Sequence, residues 1–230
     1  MIMEPANAAA FRQSLLSHPG ERQNIDYKSS VPFGADDAFS LKLIRHILGM
    51  SNSGGGWLVI GYAQDDGQPY PDPLHDHVTC STYEPTQLSR KVDSHVERGQ
   101  RVKIEVYQEE HPTSGVLYPL LRVDGFERMP NICRSSKEAS DSGEKILKQG
   151  AVYVRRPGAE TTELSTIADW EEMISRCIRL RRGEFLEEFR DLYERMTSSP
   201  EESPGSEGAR LQDFLARSHS RAFDHKEDRS

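Results

Sequence analysis

Ala8, Phe11 and Leu15 stand three and four residues apart before Pro19-Gly20, a spacing that predicts a short amphipathic helix stopping at that pair. From Asn24 to Ser29 the period changes to two, which predicts a strand with Ile25 and Tyr27 on one face and Asn24, Asp26 and Lys28 on the other. Leu41, Ile44, Ile47 and Leu48 return to helical spacing behind the capping candidates Asp36 and Asp37, and the pattern halts at Ser51-Asn52-Ser53 before three glycines. The unbroken apolar run Trp57 to Tyr62 then predicts a central strand covered on both faces. Residues 63–85, punctuated by Pro69, Pro71, Pro73 and Pro85, read as a long loop with at most a short turn of structure, and 86–98 as a helix. Val102, Ile104 and Val106 alternate with charged residues, and Val116 to Val123 is a second strand-like run, so the turn at His111 to Gly115 predicts an antiparallel hairpin. Ser135 to Lys145 reads as a loop or short helix and Ala151 to Arg155 as a strand ending at Pro157-Gly158. Ile167, Trp170, Ile174 and Ile178, followed by Phe185, Phe189, Leu192 and Met196, keep helical spacing, with Gly183 as a break between two helices.

These elements place the chain in the α+β class: a mixed, mostly antiparallel β-sheet with flanking helices and a C-terminal helical extension. The expected organisation is one domain over 1–165, the extension over 166–196, and a linker with a disordered tail over 197–230. In that tail the stretch SSPEESPGSEG is followed by at best a transient helix near Leu211 to Leu215. A hydrophobic share of 35% fits a chain partly outside any core.

Charge narrows the function classes. With 29 basic against 37 acidic residues the net charge is −8, which argues against binding nucleic acid through a protein-wide positive field and leaves only local basic strips. Cys80, Cys133 and Cys177 lie far apart without a CxxC pair, so neither a disulfide framework nor a cysteine-built zinc site is expected, and a reducing, cytoplasmic setting is. The longest apolar run is far shorter than the roughly 20 residues that span a bilayer, and Met1 to Ala10 has no leader pattern.

The stretch most suggestive of chemistry is Glu21-Arg22-Gln23-Asn24-Ile25-Asp26-Tyr27-Lys28, followed by Gly54-Gly55-Gly56, the apolar strand, Asp65-Asp66, and later Gly150-Ala151-Val152-Tyr153-Val154-Arg155-Arg156-Pro157-Gly158-Ala159-Glu160-Thr161. Over about residues 10 to 165 this succession resembles the Schlafen AlbA domain family in the order and spacing of four separate pieces. The resemblance implies a nucleic-acid-binding or endoribonuclease domain. It places the family's first carboxylate on Glu21, its second on Asp26 and its lysine on Lys28, with the third carboxylate on Asp65 and Asp66 close behind. The family's second carboxylate is usually glutamate, so Asp26 is one methylene short, and the acidic turn is about one residue longer than usual.

The residue types support such chemistry on their own terms. Phosphodiester hydrolysis needs hard oxygen ligands for one or two Mg²⁺ or Mn²⁺ ions, an activated water, and a cation facing the phosphate. Glu21, Asp26 and Asp65 are the expected metal ligands, and Lys28 the phosphate-stabilising group. Asp26 and Lys28 share a strand face, whereas Glu21 has the opposite parity and joins them only if the strand begins after it. A bland reading stands beside this one, since an exposed Asp-x-Lys on a sheet is commonly a solvated face. The expected signature is cleavage lost in EDTA and in Asp26→Asn with folding unchanged.

Lys28, Arg155, Arg156, Arg176 and Arg179 are the candidate nucleic-acid contacts, with RNA preferred over DNA. The glycine triplet follows a helix and precedes a strand, the reverse of a phosphate-binding loop, so it reads as a helix end. His75 and His77 in a proline-rich loop read as exposed, with zinc binding as the lesser alternative. Trp170, Phe185 and Phe189 read as core or as a self-association surface, so a homodimer or partner-docking domain is one alternative to the nuclease; a non-catalytic nucleic-acid-binding module is the other.

Overall fold

A computed structural model describes residues 8–139, 143–157 and 159–198. The expected linker and tail, with the Leu211 to Leu215 segment, lie outside the described residues except for Thr197 and Ser198.

The first helix, α1 (Ala8–Ser17), leads into the short strand β1 (Ile25–Lys28), then α2 (Asp37–Asn52) and β2 (Gly55–Ile60). The expected α2 is met almost to the residue. The Asp36 side chain accepts a hydrogen bond from the Phe39 N–H at 3.1 Å and so satisfies one of the unpaired donors of the first turn. Asp36→Ala should lower stability by about 1 kcal/mol, read as a shifted urea midpoint with an unchanged slope.

At the other end of α2, Gly54 and Gly55 take φ of 109° and 90°, and a Cβ on Gly56 would strike the carbonyl oxygen of Asn24. The triplet is therefore a left-handed exit from the helix and a tight entry into the strand, as its order along the chain implied.

Residues 63–85 depart from the expected loop. β3 (Tyr62–Asp65) and β4 (Gln68–Pro71) form a hairpin, with Asp66 and Gly67 at φ of 47° and 75° as its two central turn residues. That is the primed turn favoured by an Asp-Gly pair. Pro69 and Pro71 are accommodated because this hairpin is a separate two-stranded sheet that needs few ladder donors. The short α3 (His77–Ser81) and α4 (Pro85–Asp93) follow.

β5 (Ile104–Glu110) and β6 (Leu117–Asp124) make the expected hairpin. β7 (Lys137–Glu138) and β8 (Lys145–Leu147) replace the loop or helix expected after Ser135. β9 (Tyr153–Arg155) then pairs with β10 (Thr161–Glu163).

The main sheet runs β1-β2-β6-β5, with β1 parallel to β2 and the other pairs antiparallel. β2 is buried along its whole length, as a central strand must be. Strand alternation divides the core between the two faces. Ile25, Tyr27, Trp57, Val59 and Leu120 pack with Leu15 and Leu16 of α1, while Leu58, Ile60, Leu121 and Val123 pack with Leu43, Ile44 and Ile47 of α2. The Tyr27 hydroxyl fastens the first layer by donating to the Leu15 carbonyl at 2.8 Å. In register, Asp26 lies beside Leu58, so a carboxylate occupies a position on the α2 face where the neighbouring strands carry apolar side chains.

The last helix, α5 (Ile167–Ser198), runs through Gly183 without the expected break. The chain divides into two compact units between Leu180 and Arg181, inside this helix. In the first unit Met173 packs with Phe126, Val152, Val154 and Leu164, whereas Trp170 is exposed. In the second, Phe185 and Phe189 are exposed, so none of the three aromatic side chains is core. Among the described residues no helix is long and apolar enough to cross a membrane.

Candidate active site

Asp26 is 1% exposed and holds two cations at once. Its Oδ1 accepts from Lys28 Nζ at 2.9 Å, and its Oδ2 accepts from Arg155 Nη1 at 2.9 Å. The Lys28 contact follows from the two-residue period of β1, whereas Arg155 arrives from β9, 129 residues further along the chain. Burial alone would raise the Asp26 pKa; the charge of Lys28, with that of Arg155 behind it, overcomes this and holds the carboxyl below its usual range.

Glu21 meets its geometric condition. β1 begins only at Ile25, after a turn closed by reciprocal hydrogen bonds between Arg22 and Ile25, and Glu21 lies near enough to Asp26 for the two carboxyls to influence each other's titration. Burial, and then contact with Asp26, raise the Glu21 pKa, with Lys28 opposing. Glu21 thus keeps a proton more readily than an ordinary glutamate, while Asp26 stays ionised. A carboxyl pair split in this way is suited to proton transfer.

The structure does not bring Asp65 to this pair. Gln64, on the opposite face of β3, donates its amide to Glu21 Oε1, while Asp65 is exposed and Asp66 lies in the turn. Among the described residues, no three His, Cys, Asp or Glu side chains are gathered to hold a metal ion. Two carboxylates suffice for a Mg²⁺ ion with water and substrate phosphate completing its shell, but here only once Lys28 releases Asp26 Oδ1, since both Asp26 oxygens are held by cations.

His46 completes the cluster and was not singled out from the sequence. Its Nδ1 lies 2.9 Å from the Thr161 hydroxyl, 3.2 Å from Arg155 Nη1 and 3.4 Å from Asp26 Oδ2, which sets the ring in the middle of the cluster. Burial, then the charge of Lys28, push its pKa down to about 3. One signal was available: His46 falls three residues after Leu43 and four before Met50, both buried, so it is a polar residue set into the apolar stripe of α2.

His46 also imposes a pH dependence. The unfolded imidazole titrates near 6.5 and the folded one near 3, so over that interval the unfolded chain binds more protons and stability falls with falling pH. Glu21 acts with the opposite sign, its contribution being lost as pH rises through its raised folded pKa. His46→Asn should flatten the decline in urea midpoint between pH 6.5 and 4; a decline as steep as in the parent protein would assign it to other groups.

The predicted nucleic-acid contacts divide sharply. Arg155 has a fully buried side chain and serves as the counter-charge of Asp26, so it is not a surface contact. Arg156 is paired with Asp169. Arg176 is half-buried over the Phe126 ring, with Nη1 3.4 Å from the Asn52 carbonyl, at the wall of a cavity of about 260 Å³. Arg179 is exposed, and Lys28 keeps a fifth of its side chain in solvent.

His75 is buried rather than exposed. Its Nδ1 bonds Ser30 Oγ at 2.8 Å and its Nε2 bonds the Leu117 carbonyl at 2.9 Å, so neither ring nitrogen is free for zinc.

No protein-family model matches the chain, and no curated protein matches it. Among solved structures it is similar to the DIP2311 protein from Corynebacterium diphtheriae (TM-score 0.42, 15% identity), over 71% of this chain and 27% of that one. It is also similar to the N-terminal domain of a RecG-related protein from Nitrosomonas europaea (TM-score 0.35, 15% identity), over 61% of this chain and 90% of that domain. The chain thus spans about a quarter of the Corynebacterium protein. Both likenesses are too loose to carry a property across.

Proposed function

We propose that this chain is a nucleic-acid-directed domain of the Schlafen type that hydrolyses phosphodiester bonds at the Glu21, Asp26 and Lys28 cluster, with RNA as the preferred substrate. The supporting observation is the buried Asp26–Lys28 pair, 2.9 Å apart, with Glu21 just before the same strand and near enough for its carboxyl to respond to both charges. In this reading Glu21 exchanges a proton with the attacking water or the leaving oxygen, because its carboxyl is the one that readily holds one. Lys28 turns from Asp26 to the phosphate; its long, partly solvated stem permits this where the sealed Arg155 has no such freedom. Arg155 instead positions Asp26. Glu21 and Asp26 would hold a Mg²⁺ or Mn²⁺ ion, which when bound supplies an acidified water and neutralises phosphate charge.

The test is incubation of the purified chain with tRNA, rRNA and single-stranded DNA in Mn²⁺, with and without EDTA. Chelator-sensitive cleavage of RNA supports the reading, and three intact substrates in Mn²⁺ defeat it.

One observation favours a non-catalytic variant of the same reading: both Asp26 oxygens are already engaged by cations. A nucleic-acid-binding module of that kind predicts association that falls steeply with salt, and no cleavage.

A further inference from the structure

A second cleft opens at the far end of α2. It is about 710 Å³ and is lined by Asp37 at the start of α2, Lys91 and His95 at the end of α4, and Arg134, Lys137 and Glu138 at β7. Its volume is that of a small-molecule site. Asp37 and His46 are nine residues apart on one helix, which separates the cleft from the Asp26 cluster by about 14 Å along the axis.

Two features set this cleft apart from an ordinary polar surface. Lys91, Arg134 and Lys137 converge there, and among the described residues none of the three is salt-bridged to a carboxylate. His95, only 6% exposed, lines the same cleft and keeps one ring nitrogen without a partner among the described residues. Its Nδ1 lies 2.9 Å from both the Lys91 carbonyl and Ser94 Oγ, and that hydroxyl already spends its hydrogen on the same carbonyl at 2.7 Å. Nδ1 must therefore carry the ring proton, which leaves Nε2 a lone-pair acceptor with no protein partner among the described residues. The low pKa of His95, set by burial with Lys91 and Lys137 opposing a third charge, keeps Nε2 in that form.

Three cations without a salt bridge ask for an anion. Two carboxylates and a bare imidazole nitrogen ask for hydroxyl donors. With Leu41 as the one apolar wall residue and no Phe, Tyr or Trp in its lining, the cleft is built for polar groups rather than for a large apolar ring.

We propose that this cleft binds a ribose-phosphate unit, its phosphate among Lys91, Arg134 and Lys137 and its sugar hydroxyls donating to Asp37, Glu138 and His95 Nε2. Such a unit comes either as a free sugar phosphate or as the backbone of an RNA strand, whose 2′-hydroxyl DNA lacks. The site is separate from the Glu21 cluster and stands or falls without it.

The test titrates the full chain with ribose 5-phosphate, inorganic phosphate and ribose, following the His95 ring signals by NMR, and with matched RNA and DNA oligonucleotides by anisotropy. Ribose 5-phosphate is expected to perturb His95 and to bind about tenfold or more tightly than phosphate or ribose alone, since each half of the ligand meets its own partners. Arg134→Glu and Lys137→Glu are surface changes whose folding a thermal melt verifies. Each should weaken binding by about tenfold or more, while Lys42→Glu, outside the cleft on α2, should not. If the same variants weaken RNA but not DNA, the unit is read from a strand; if they weaken only the free ligand, it is read from a small molecule. The proposal is overturned if neither ribose 5-phosphate nor RNA perturbs His95, or if both charge reversals leave binding unchanged.

Discussion

Asp26→Asn is expected to lower folding stability by about 3 to 5 kcal/mol, the usual cost of removing one partner from a buried ion pair. Asparagine preserves the shape of the site but removes the charge facing Arg155, whose side chain is wholly enclosed and whose Nη2 already has no hydrogen-bond partner. Lys28 can turn to solvent when released; Arg155 cannot, so the cost falls on the guanidinium. This revises the expectation drawn from the sequence, in which Asp26→Asn abolished activity with folding unchanged. The double variant Asp26→Asn, Arg155→Met should recover much of the loss, because no unpaired buried charge remains. Urea unfolding of the parent, both single variants and the double one measures the coupling. A single Asp26→Asn variant within about 1 kcal/mol of the parent would mean that the pair is not a structural keystone.

If the chain cleaves RNA, Glu21→Gln and Lys28→Met should each reduce the initial rate by about 100- to 1,000-fold, the range for losing a positioned proton donor or an electrostatic stabiliser. Glu21 is only half-buried, so Glu21→Gln should melt close to the parent, whereas Lys28→Met leaves Asp26 with Arg155 as its remaining cation and should cost about 1 to 3 kcal/mol without unfolding the chain. The two losses should differ in kind. Glu21→Gln should abolish the pH dependence set by the raised Glu21 carboxyl, whereas Lys28→Met should preserve that profile at a lower rate and flatten the salt dependence of binding. Rates within about threefold of the parent for both variants would remove the cluster from the chemistry.

The candidate site was legible in the sequence where local periodicity governs it. Asp26 and Lys28 share a face because a strand repeats every two residues, and Glu21 joins them because the turn before Ile25 breaks that parity. The Asp66-Gly67 turn was also written locally, but the prolines around it masked the hairpin, since a proline counts against a strand only where a ladder needs its N–H. Asp65 failed as the third carboxylate for an equally local reason: once residues 62–65 form a strand, Gln64 and Asp65 must face opposite ways, and it is Gln64 that meets Glu21.

The arginines show where sequence reading ends. Arg155 stands in a basic pair at a strand end, a pattern equally consistent with a phosphate contact and with a buried counter-ion. The difference lies in what packs over it: β9 lies against α2 and carries the guanidinium to Asp26, 129 residues earlier in the chain. Spacing along one element is a short-range quantity and survives translation into three dimensions. Burial, counter-charge and the surroundings of His46 depend on contacts between distant segments, and those arise only when the layers of the fold close on one another.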